Sequence, residues 1–340
     1  MQLKIELNLI AFALFSLIAC SGEPRRNDPD VSGVEVNVQI LRFDRDLFAL
    51  DTARLATDME KLSAQYPDFL PFFMREVLGV PPEQDTAYAA AVAGFITAHQ
   101  VKRLYDSCQA DYGDLRTLES DLTDMFRYYR YYFPNQPTPR VVTAVTEFVG
   151  DAYIVNDSLL MIGLDMFLGE NFAGYNPDIF PRYLRRQFSR EFLTTKAAMA
   201  LSTRLAGPPP AERVIDYMVH NGKILYIMDL LLPTVPDSTK MGYSADQMAG
   251  CYANEQNLWA RLLDKKVLYE PLATDNQKIV MPSPSTDNVF REAPGEIGNW
   301  IGWQIVKAYK KRHPEATPVD ILRIRDTQTF MEEARYKPKR

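Results

Sequence analysis

Cys20 follows Leu17-Ile-Ala at the end of an apolar run, Leu7 to Ile18, that begins just after Lys4. A secretory signal combines a positive flank, roughly 7 to 15 apolar residues and small residues before the cut. A cut before Cys20 leaves a thiol at the new N-terminus for acylation, and a lipid there tethers a chain without spanning the bilayer. The run is shorter than the roughly 20 apolar residues of a transmembrane helix. A second candidate is Arg190-Glu191-Phe192-Leu193-Thr194. It has the frame of His-Glu-x-x-His, in which two imidazoles one turn apart hold zinc and the Glu activates its water. Only the Glu is present. A guanidinium stays protonated and offers no lone pair, and the Thr194 hydroxyl is a poor substitute for imidazole. On the pattern alone a lone Glu191 between Arg190 and Thr194 therefore carries no function, and no metal and no cofactor is expected.

Other chemistry is scarce. His99, His220 and His313 have Arg103, Ile224 and Thr317 four residues on, so no His pair has ligand spacing. His220 precedes Asn221-Gly222 and is expected at a helix end; His99 and His313 are expected on the surface. No Gly-x-Ser-x-Gly elbow and no Gly-rich phosphate loop occurs. Cys108 and Cys251 remain after Cys20; they are compatible with a disulfide or with two buried thiols. The formal charge of −6 gives no argument for nucleic acid.

The elements that must carry these residues fall into two halves. Residues 1–19 are the expected signal peptide, and 20–35, rich in Pro, Gly and charge, a flexible tether. Residues 36–340 are expected to form one two-lobed domain. Val36 to Asp44 alternates like a strand, and helices are expected over 46–62, 72–78, 86–109 and 115–133. Three β-branched runs, from Arg140, Ala152 and Ser158, are separated by Gly150-Asp151 and Asn156-Asp157, the punctuation of consecutive hairpins. From Pro181 onward the chain is almost wholly helical. This segregation predicts an α+β fold, predominantly helical, with a small, mostly antiparallel sheet in the N-terminal half.

In the C-terminal half, Gly242-Tyr-Ser-Ala-Asp-Gln, Asn254-Glu-Gln-Asn-Leu-Trp259, Lys266-Val-Leu-Tyr269, the run from Ala293 to Val306 and Tyr336-Lys-Pro338 together resemble the gliding-motility lipoprotein GldB family of Bacteroidetes. The resemblance runs over nearly the whole chain after Cys20 and is most specific from about residue 215. The family in turn looks like a distant relative of predicted zinc-dependent peptidases with a zincin-type fold. That comparison implies a degenerate zincin-like domain, with Arg190 and Thr194 where the imidazoles stand and Leu225 near the position of the third, acidic ligand.

On a continuous helix from Pro181, Arg182, Arg186, Arg190 and Thr194 form one i, i+4 row flanked by Arg185. It is either a solvated face or a surface that presents Arg to an anion or acidic partner. Ile297, Trp300, Ile301, Ile305 and Ala308 share a helical face, with Glu296 in the first turn and Lys310, Lys311 and Arg312 in the last. Gly298 and Gly302 predict close packing against the 181–205 helix; a groove lined by Trp300 and Trp303 that receives a peptide is the alternative. The expectation is a lipid-anchored envelope protein, attached through Cys20 and facing the periplasm from the outer membrane. It acts in gliding or secretion as a non-catalytic binding or assembly module with envelope protein partners. A hydrolase that uses Glu191 with non-standard ligands, and a structural scaffold, are the competing readings.

Overall fold

The computed structural model describes residues 28–81, 87–287, 289–290 and 292–339. Cys20, the signal peptide and residues 20–27 of the tether lie outside the described residues. The chain runs β1 (Ile40–Leu41), α1 (Phe43–Phe48), α2 (Leu55–Gln65), α3 (Phe69–Glu76), α4 (Tyr88–Thr97), α5 (His99–Tyr112) and α6 (Arg116–Tyr132). Next come β2 (Arg140–Ala144), β3 (Ala152–Val155), β4 (Leu159–Gly163), α7 (Arg182–Arg185), α8 (Leu193–Ala206) and α9 (Val214–Leu231). The last helices are α10 (Asp237–Met241), α11 (Ala245–Ala253), α12 (Glu255–Asp264), α13 (Ile297–Arg312), α14 (Pro318–Arg323) and α15 (Thr327–Ala334). The fold is α+β and predominantly helical, as its segregated patterns predict.

The sheet is mixed, not mostly antiparallel. Its order is β1-β2-β4-β3; β1 pairs with β2 and β2 with β4 in parallel, and β3 with β4 is antiparallel. Only the turn at Asn156-Asp157, both at positive φ, closes a hairpin. Leu159 to Gly163 is buried at every position, whereas Tyr153 is 45 % exposed. A run apolar on both faces belongs inside a sheet. The segment after β2 therefore carries the chain past the slot that β4 fills, and β3 ends at the edge.

Alternation along the strands divides the core. Val142, Leu159 and Met161 pack with α1 to α4, while Val141, Leu160 and Ile162 face the cluster that contains α6, α8, α9 and α13. The expected strand at 36–44 shrinks to β1 because Phe43 and Leu47 turn into the first cluster as a helix. The 86–109 helix breaks at Ala98, whose extended backbone (φ −60°, ψ 127°) separates α4 from α5.

α9 is apolar on nearly all sides and buried along its length, as a central helix should be. It packs on α13 at backbone distance. A Cβ added at Gly222 would lie 2.2 Å from the Gly302 carbonyl carbon, and one at Gly302 would lie 1.7 Å from the Met218 carbonyl oxygen. The small residues of α13 thus meet α9, not the 181–205 segment.

That segment is not one helix. α7 stops at Arg185, Ser189 is extended (φ −123°, ψ 160°), and a 3-10 turn at Arg190–Phe192 leads into α8. Phe188 causes the break. It buries against Tyr175 and Phe180, with ring centroids 5.0 and 5.4 Å away, and its carbonyl accepts from Gly169 N–H at 2.7 Å.

Candidate functional site

With the helix broken, the arginine row does not form. Arg182 pairs with Glu170 (3.0 Å), Arg186 donates to Gln247 Oε1 (2.6 Å), and Arg190 donates to the Asp111 carbonyl (2.7 Å) over the Tyr112 ring. Each guanidinium braces a different segment. Glu191 is exposed on the 3-10 turn, and its carboxylate accepts from Ser189 Oγ at 3.4 Å. Among the described residues, no three His, Cys, Asp or Glu side chains converge to hold a metal ion. Leu225 is buried.

The tryptophan groove is also absent, because Trp300 and Trp303 are fully buried. Trp300 meets Tyr252 edge-on (5.4 Å), and Trp303 lies under Lys307 (3.8 Å to the ring centroid) with Lys240 at 5.9 Å. His220 sits inside α9 and is buried, not at a helix end, because Gly222 serves helix contact and does not cap. Burial, with Arg325 and Lys223 adding positive charge nearby, pushes its imidazole down to about 4, so it is neutral at pH 7. Cys108 and Cys251 are buried free thiols.

The side chains that do converge surround a cavity of about 660 Å³ between α8, α9 and the start of α13. Lys196, Met199 and Thr203 come from α8; Tyr217, His220, Asn221, Ile224 and Leu225 from α9; Glu296 and Asn299 from α13; and Val280, Met281 and Pro282 from the preceding loop. Most of the wall is apolar, with a few polar groups at one end, the usual make-up of a ligand pocket.

The polar end is a connected set. Asn221 Nδ2 donates to Asn299 Oδ1 (2.8 Å), and Asn299 Nδ2 donates to the Val280 carbonyl (3.1 Å) and to Glu296 Oε1 (3.2 Å). Glu296 precedes α13 in the left-handed region, φ 61° and ψ 23°. This conformation costs a non-glycine residue about 1–3 kcal/mol and persists only where its surroundings fix it. Here its N–H donates to the Lys278 carbonyl (2.9 Å), and Gly295 before it lies where a Cβ would meet Ser283 O at 1.9 Å. Burial pushes the Glu296 carboxyl up to about 7, against the charge of Lys196 and the Asn299 hydrogen bond, which lower it. Lys196 itself pairs with Asp151 (3.1 Å), and buried Lys240 pairs with Asp229 (2.7 Å).

Sequence reasoning noted Glu296 only as a first-turn acid and did not single out Lys196 or Asn299. The available signal was Gly-Glu-x-x-Asn at a helix start, which puts a carboxyl and an amide one turn apart. No pattern joined it to Asn221, which lies 78 residues away in sequence from Asn299.

Residues 24–338 match the family model described as gliding motility protein GldB. No curated protein and no solved structure matches the chain, and the likeness to zincin-type peptidases finds no counterpart in these comparisons. Among the described residues, no helix is long and apolar enough to cross a membrane. The family match takes in β1 to α15, including the helices that frame the cavity, and on that span the chain belongs to the GldB family of gliding-motility lipoproteins.

Proposed function

We propose that this protein is a lipid-anchored component of the gliding or associated secretion machinery, attached through Cys20 on the periplasmic side of the outer membrane, that works by binding and not by hydrolysis. The observation that carries the reading is the cavity at Glu296. Asn221, Asn299 and Glu296 are hydrogen-bonded to one another there and most of the wall is apolar, whereas the vestigial Arg190 and Glu191, on the 3-10 turn, and Thr194, at the start of α8, are not among the lining residues. Support for the anchor is the family name, which is that of a lipoprotein, together with the apolar run that ends at Cys20. The sequence after Cys20, Ser-Gly-Glu-Pro, has no acidic cluster, which favours the periplasmic face.

Thr203 is exposed at the rim of the cavity, so Thr203→Trp fills the mouth without touching the core. In a gliding host that depends on this gene, Thr203→Trp and Cys20→Ala are expected to abolish gliding at normal protein abundance, and Glu191→Gln to leave it intact. Gliding that survives Thr203→Trp overturns the assignment of function to this cavity. The hydrolase reading is tested by metal analysis of protein purified without chelator and by a peptide-hydrolysis assay. Stoichiometric zinc together with turnover lost in Glu191→Gln would replace the binding reading.

A further inference from the structure

Lys196, Met199 and Thr203 line two cavities, not one. At i, i+3 and i+7 they form one stripe of α8. This stripe is the floor of a trough, with the 660 Å³ cavity on one flank and a cavity of about 380 Å³ toward β3 on the other. Ala152, Tyr153 and Ile154 line the smaller cavity.

β3 is a sheet edge, paired with β4 alone among the described residues. Gly163 N–H donates to the Asp151 carbonyl (2.9 Å), which fixes the alternation of the ladder. Tyr153 exchanges hydrogen bonds with Met161, so the backbone groups of Ala152 and Ile154 point away from β4. Asp151 Oδ1 already accepts the Ala152 N–H (2.7 Å). Both backbone groups of Ile154, which is partly exposed, have no hydrogen-bond partner among the described residues.

Charge along the trough is matched within the protein: Lys196 with Asp151 (3.1 Å), Arg204 with Asp157 (2.7 Å) and Lys240 with Asp229 (2.7 Å). A charged ligand finds no free counter-charge among these three. Glu296 has no cation at ion-pair distance among the described residues, and its wall partner is the neutral Asn299 amide. An acyl chain would fill the apolar volume but remove water from Ile154, Asn221 and Glu296 without replacing its hydrogen bonds. A peptide backbone replaces them.

Resting on the binding reading above, we propose that the trough takes an extended, uncharged peptide segment, which adds as a strand to the outer edge of β3 and lowers a side chain into the larger cavity against Asn221, Asn299 and Glu296. The test is a random heptapeptide display library panned on the full lipidated chain in detergent. Recovered sequences are then synthesised and measured by fluorescence anisotropy. Uncharged sequences are expected. Thr203→Trp should weaken them at least about tenfold, a change of roughly 1.4 kcal/mol, as should Ile154→Pro, which removes one outward N–H at an edge where Pro is tolerated. N-methylation of alternate amides in the peptide should have the same effect with the protein unchanged, which keeps the test decisive if Ile154→Pro fails to fold. Recovery of charged sequences, N-methylated peptides that bind as well as their parents, or an empty selection overturns the peptide assignment. An empty selection with gliding still lost in Thr203→Trp leaves the cavity as a binding site for another ligand; palmitate that protects a photocrosslinker at Met281 identifies an acyl chain. Gliding intact in Thr203→Trp removes the binding reading itself.

Discussion

Glu191 and Glu296 both stand at helix starts, and their surroundings differ. Glu191 occupies the one position of a catalytic frame that the sequence retains, yet it lies exposed on a 3-10 turn with Ser189 as its hydrogen-bond partner. Glu296 belongs to no such frame. It is partly buried, held left-handed, bonded to Asn299 and placed over a cavity built by three helices. A motif frame specifies spacing along one helix, whereas chemistry requires groups from several elements to converge out of water. Once Phe188 takes the 181–205 segment out of helix, the frame falls across a 3-10 turn and the first turn of α8.

The largest effect that would break this contrast is at the contact that builds the Glu296 region. Gly302→Ala places a methyl 1.7 Å from the Met218 carbonyl oxygen, and two helices at backbone contact have nowhere to move but apart. Urea denaturation should show a loss of about 3 kcal/mol or more, at the upper end for overpacking. Wild-type stability in Gly302→Ala would mean that α9 and α13 are not in contact at this point.

Asn299 is the hub of the polar end, so Asn299→Ala leaves Asn221 and the Val280 carbonyl without their shared partner. A loss of about 1–3 kcal/mol is expected. A double-mutant cycle with Asn221→Ala should show coupling of about 0.5 kcal/mol or more; strict additivity would show the two amides to be independent.

Glu296 titrates in the opposite sense from a salt-bridged carboxylate. Its folded value of about 7 lies above its ordinary 4.5, so between these values the native state holds a proton that the unfolded state has released. Stability therefore falls as pH rises from about 4.5 to 7. Glu296→Gln should match the wild type at pH 4 and be more stable at pH 8.5, by about 1 to 3 kcal/mol in denaturant titration. Equal denaturation curves at both pH values would mean that the carboxyl is solvated. The smallest expected effect is at the other glutamate: Glu191→Gln should stay within about 0.5 kcal/mol at either pH, as an exposed substitution does.

The local pattern along the chain determined several elements closely. α6 and α13 lie within a residue or two of their expected ends, because each carries an apolar face at helical spacing and ends where that spacing stops. The hairpin at Asn156-Asp157 and the segregation of strands from helices follow from residue type alone. Tertiary structure decided the rest. An apolar stripe says that a face is covered, not by what: Gly302 was legible as a close-packing site, but its partner, Gly222 of α9, was not. The parallel placement of β2 beside β4, the break at Phe188 and the meeting of Asn221, Asn299 and Glu296 all arise from contacts between residues far apart in the chain. Periodicity encodes the direction in which a side chain points. Burial, charge and hydrogen bonding at its tip depend on the elements that fold over it.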